Sequence, residues 1–84
     1  MLTAQRIPTE ADLDDSKICY WKDVDGLWWI YLPSCGAGVL SKHTVEEHED
    51  GTITVSPSIL MDGHANGVRT QRHGYLVSGA WKEC

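Results

Sequence analysis

Three cysteines (Cys19, Cys35, Cys84) and four histidines (His43, His48, His64, His73) are the side chains best suited to metal or nucleophilic chemistry. A structural zinc site needs paired thiolates about two residues apart, so that one tight turn directs both sulfurs at one ion. Ser34-Cys35-Gly36-Ala37-Gly38 supplies the tight small-residue turn, but Leu32 stands where the first thiolate belongs. A metal site would therefore be assembled from distant parts of the chain, with Cys35 and His73 as its candidate ligands. Alone, Cys35 is a small buried hydrophobe. A hydrolytic Cys–His pair would need a third group to orient the imidazole and a loop of donors for an oxyanion, and the sequence marks neither. Gly36-Ala37-Gly38 matches no phosphate-loop spacing. An enzyme is not expected.

The aromatic residues suggest binding instead. The chain has four Trp and three Tyr and lacks Phe. Trp28 and Trp29 are adjacent, so on a strand they point to opposite faces. One enters the core and the other meets solvent or a second layer. An exposed indole is a natural anchor for a partner, because Trp is enriched among residues that dominate interface energy. Trp28, Trp29, Trp21 and Trp81 are the candidate binding residues. The competing reading is that the N-terminal arm or a second copy covers both faces.

Strands must position these groups. Ile18-Cys19-Tyr20-Trp21-Lys22 and Leu27-Trp28-Trp29-Ile30-Tyr31-Leu32 are β-rich and flank Asp25-Gly26, which predicts a hairpin ended by Pro33. Gly51 to Ser56 alternates, with Ile53 and Val55 on one face and Thr52, Thr54 and Ser56 on the other, the pattern of a half-buried strand. Its three hydroxyl residues suggest an edge at which two copies could pair. Pro57 breaks the strand or marks an edge. Ile59-Leu60-Met61 returns to the core. His43 to Asp50 is expected to be a solvated helical turn or an exposed connection, and Asp62 to Gly67 a loop. Tyr75 to Trp81 closes the chain as a last hairpin-like unit. No long amphipathic helix is present. The expected fold is all-β or nearly so, a small antiparallel sheet or partly open barrel with an irregular N-terminal arm. Residues 1–16 form that flexible or loosely packed arm and residues 17–84 a single small β domain.

Composition narrows the class. At 84 residues, with 42% hydrophobic and 23% charged, the chain has globular composition and room for one domain. No apolar run approaches the roughly 18–20 residues of a membrane-spanning helix, and Met1 to Lys17 lacks the apolar stretch of a signal peptide. The expected location is the cytoplasm. An odd number of cysteines without an export segment argues against a disulfide framework. Net charge is −5 and the seven basic residues are scattered, which disfavours direct nucleic-acid binding and suits a partner with a basic surface.

Three strings resemble a family of short phage and prophage proteins of unknown function. Thr54-Val55-Ser56-Pro57-Ser58-Ile59-Leu60 is similar to the family's Thr-x-Ser-Pro-Ser-Ile/Leu strand. Arg72-His73-Gly74-Tyr75-Leu76 is similar to its Cys/Ser-His-x-aromatic-apolar segment. Leu32-Pro33-Ser34-Cys35-Gly36 resembles its Cys-Pro-x-Cys-Gly knuckle, with Leu32 replacing the first thiolate. The resemblance implies zinc ligands at the knuckle and at the later Cys-His pair. Of these only Cys35 and His73 remain, so either His64, His43 or Cys84 completes the set or packing has replaced the metal, and no cofactor is expected. The function expected is a non-enzymatic phage accessory protein, monomer or homodimer, that binds a host protein or nucleoprotein complex, in its sharpest form an anti-CRISPR-like inhibitor. The alternative is a small zinc-stabilised structural module.

Overall fold

A computed structural model describes residues 2–84, with Ala65 described by its backbone alone. The fold is all-β. Its strands are β1 (Leu2–Thr3), β2 (Gln5–Arg6), β3 (Cys19–Lys22), β4 (Trp28–Leu32), β5 (Gly36–Val39), β6 (Thr44–Glu47), β7 (Ile53–Ala65), β8 (Val68–Val77) and β9 (Ala80–Glu83), and the only helical element among the described residues is a 3-10 turn, Glu10–Asp12. They form a five-stranded sheet in the order β1-β9-β8-β7-β6 and a four-stranded sheet in the order β2-β3-β4-β5. Apart from the parallel β2–β3 pair, all neighbours are antiparallel.

Alternation builds the core. Tyr20 lies opposite Ile30 in the β3–β4 register, and Trp28, Ile30 and Leu32 share that face. They meet Ile53, Val55, Ile59, Leu76 and Trp81 from the larger sheet in one buried cluster. The opposite face of the small sheet carries Cys19, Trp21, Trp29 and Tyr31, and there Ile7 and Leu13 pack over it as a second, smaller cluster. Each additional buried aliphatic or aromatic side chain contributes roughly 1.5–3 kcal/mol by leaving water, so the second layer is a sizeable part of a small domain's stability.

The expected Trp21/Trp29 hairpin is present. Asp23 shapes its turn: Oδ1 accepts the amides of Asp25 and Leu27, both at 2.9 Å, and Gly26 takes φ +83°. Four expectations need correction. Leu2–Arg6 are not a loose arm: Leu2–Thr3 pair with β9, Gln5–Arg6 pair with β3, and Ala4 and Ile7 are buried. Met1 lies outside the described residues. His43 to Asp50 contains strand β6, whose Val45 faces the core while Glu46 faces out. Gly51 to Ser56 is no edge, since Ile53–Ser56 pair with β6 on one side and Val55 pairs with Leu76 of β8 on the other.

Asp62 to Gly67 is not a loop but the far end of a long ribbon. β7 and β8 stay paired to Ala65 and Val68, where Asn66 (φ +53°) and Gly67 (φ +77°) make the two-residue turn such hairpins favour. The ribbon changes register between Val55 and Ile59, around Pro57, as expected of a proline inside a sheet. Gly63 is required because Cys35 crosses it: a Cβ there would meet the Cys35 Cα at 2.5 Å.

Candidate functional site

Burial removes most of the expected aromatic patch. Trp21, Trp28 and Trp81 are 3%, 8% and 0% exposed. Trp28 and Trp29 do point to opposite faces, but each face is covered. Trp28 closes the main core beneath the Arg6 guanidinium, 5.0 Å from its ring, and the Lys22 ammonium, 5.7 Å away. Trp29 is half-buried, nearly parallel to Trp21 (6°, centroids 6.2 Å apart), and donates its Nε1–H to Asp23 Oδ2 at 2.8 Å. That bond comes first among several that hold the Asp23 carboxyl below its ordinary value; the Leu27 amide is the next. Trp81 donates to Glu83 Oε1 at 2.7 Å, and the same oxygen accepts from Arg72. Burial pushes the Glu83 carboxyl up, but these two donors prevail and keep it low. Trp21, Trp28 and Trp81 are thus interior side chains, and Trp29 is partly buried beside Trp21.

The candidate metal ligands are also separated. Cys35 lies on the inner side of the ribbon, with Sγ 3.7 Å from the Met61 carbonyl and 3.9 Å from Thr70 Oγ1. Thr70, Arg72, Gly74 and Leu76 alternate with His73, which belongs to the outer face opposite Leu60. A strand directs neighbours of odd spacing to opposite faces, so Cys35 and His73 cannot reach one ion. Among the described residues no group of three Cys, His, Asp or Glu side chains is arranged to hold a metal.

Three of the four histidines instead bond to β7. His73 Nε2 lies 2.8 Å from Ser58 Oγ, His48 Nε2 lies 2.7 Å from Thr54 Oγ1, and His43 Nε2 lies 3.1 Å from the Ser58 carbonyl. A carbonyl only accepts, so His43 Nε2 carries the proton and its buried Nδ1 has no partner among the described residues. Ser58 and His73 are at nucleophile–base distance. Nothing among the described side-chain hydrogen bonds orients the His73 Nδ1, so the pair lacks the third member that makes such a serine reactive.

The outer face of the five-stranded sheet is the feature that sequence reasoning missed. Leu60, Tyr75 and Val77 are 57%, 45% and 51% exposed. His73 is opposite Leu60, and Tyr75 and Val77 follow it at two-residue steps on the same face of β8. Lys82 lies opposite Tyr75 on β9. Asp62 receives Arg69 at 3.2 Å and Gln71 at 3.0 Å farther along the ribbon, and these bonds lower its carboxyl, Gln71 contributing most. An apolar strip with a polar border results. The available sequence signal was the alternation of Tyr75 and Val77 about Leu76, which shows that one face of that strand had to remain outside.

No protein-family model, curated protein or solved structure matches the chain. Among the described residues no helix is long and apolar enough to cross a membrane.

Proposed function

We propose that this chain is a non-enzymatic binding protein that docks onto another protein through the outer face of its five-stranded sheet. The observation that carries the proposal is the Leu60–Tyr75–Val77 strip, which has no layer over it among the described residues. Rigid, part-exposed apolar side chains with a polar border are suited to an interface centre, where little conformational entropy is lost on docking. The small sheet buries its comparable side chains under the N-terminal segment, so exposed aromatic area is not a general property of this chain.

The strings that resemble those of phage and prophage proteins favour a host protein or nucleoprotein complex as the partner, in its sharpest form a defence complex inhibited in the host cytoplasm. A net charge of −5 favours a basic partner surface. Ten of the twelve acids fall in three stretches, 10–15, 23–25 and 46–50. In this reading they steer the approach and the strip supplies the contact. The zinc-module alternative is less well supported, because Cys35 and His73 occupy opposite faces and no metal-holding group of three occurs among the described residues.

The test is capture from host lysate with three baits: the parent, Tyr75→Asp and Trp29→Ala. A partner held by the parent and by Trp29→Ala but lost by Tyr75→Asp supports the reading. Equal capture by all three, or capture by none, overturns it.

A further inference from the structure

A cavity of about 700 Å³ opens where the N-terminal strands cross between the sheets, lined in part by Ala4, Arg6, Lys17, Tyr20, Asp50 and Thr52. That is the size range of small-molecule sites. Tyr20 is the telling residue. It is only 1% exposed; its hydroxyl makes none of the described side-chain hydrogen bonds and is not sealed from solvent, so it opens on the cavity. Buried phenols ordinarily find a partner, so a donor is held ready at the cavity wall. Burial raises the Tyr20 phenol pKa, opposed by nearby Arg6 and reinforced by Asp50, so the hydroxyl keeps its proton.

Two cations share the cavity. Arg6 is fixed by Nη1, which donates to Glu47 Oε2 at 3.0 Å and to the Gly51 carbonyl at 2.8 Å. Its Nε and Nη2 hydrogens have no acceptor among the described residues, and a guanidinium has five donors in all. Lys17 makes only a 3.9 Å exposed pair with Asp14, a weak competitor for its ammonium. Asp50 is the single lining carboxylate, with Oδ1 occupied by the Thr52 amide (3.0 Å) and hydroxyl (2.7 Å). The Thr52 hydroxyl first, then its amide, hold that carboxyl below its ordinary value, so it stays charged. Because Glu47 and Asp50 already offset part of the Arg6 and Lys17 charge, the remaining donors suit a ligand with a single anionic group better than a polyanion.

We infer that this cavity is a binding site for a small organic monocarboxylate, whose oxygens take the Tyr20 hydroxyl, Arg6 and Lys17. The site is separate from the docking face and does not depend on it.

The probes are benzoate, its uncharged isostere benzamide, inorganic phosphate and a sodium chloride control of matched ionic strength, read by amide chemical shifts of the whole chain. Benzoate is expected to give saturable shifts confined to residues 3–6, 17 and 50–52, and benzamide none. Tyr20→Phe keeps the ring and weakens benzoate about tenfold, the loss of one hydrogen bond to a charged group. Arg6→Lys is the second variant, expected to weaken benzoate while leaving the sheet amides unmoved. Shifts that fail to saturate, that match the chloride control, or that are unchanged in Tyr20→Phe overturn the inference. So does tighter binding of phosphate than of benzoate.

Discussion

The two sheets treat their outer faces in opposite ways. The small sheet places Trp21, Trp29 and Tyr31 outward and covers them with Ile7 and Leu13 from the N-terminal segment. The large sheet places Leu60, Tyr75 and Val77 outward and leaves them exposed. The richer aromatic surface is therefore the structural one, and the plainer one is free to meet a partner. In a chain this small, large rings are spent first on stability, because few other residues bury so much area for so little side-chain entropy.

The contrast is open to attack by mutation. The largest effect is expected at the shared core: Trp81→Ala removes a ring that is fully buried and costs about 3–5 kcal/mol, lowering Tm by at least about 12 °C. Circular dichroism melts measure this, and a loss under about 1 kcal/mol would show that the sheets do not pack as described. Next comes Ile7→Ala, expected to cost about 2–4 kcal/mol. Its hydrogen-exchange signature is local: the Gln5 and Ile7 amides, bonded to the Ile18 and Tyr20 carbonyls, lose protection before those of β8. Uniform loss across both sheets would mean that the covering segment is inseparable from the core.

A smaller effect depends on pH. The Asp23 carboxyl is held low by Trp29 Nε1–H first and by backbone amides after it, so the folded chain binds this proton less readily than the unfolded chain. The resulting stability is complete above the ordinary carboxylate value near pH 4 and is lost as pH falls through the lower folded value. Trp29→Phe should shrink this acid limb in melts between about pH 5 and 2, and an unchanged limb would assign the turn's stability elsewhere. The smallest effect is expected on the bare face. Tyr75→Asp should shift stability by no more than about 0.5 kcal/mol while abolishing partner capture, and a large loss would mean that Tyr75 is structural.

Legibility in the sequence followed local pattern. Ile53 and Val55, and the hairpin around Asp25-Gly26, were readable because alternation and turn chemistry agree there. β6 was not, because Glu46 and Glu47 lie at an edge and Glu47 is occupied by Arg6 and Lys22, which hides the alternation around Val45. The ribbon tip was missed for a different reason. Asp62, Gly63 and His64 have loop composition, and Gly63 is explained only by Cys35 crossing above it, a contact 28 positions away in the chain. The fate of Cys35 and His73 was hidden until β8 could be traced as one strand, since only strand parity separates them. The exposed strip is the complement of the core, and it could be located only once the covering of every other face was known.

Leu2–Thr3 join β9 at Ala80 and Trp81. β1 is therefore made well before the strand it pairs with, and closing so long a loop belongs to the slow class of folding steps. A nascent chain halted before Ala80 would already have the cover of the small sheet but would hold Leu2–Thr3 without a partner and the main core without the Trp81 ring.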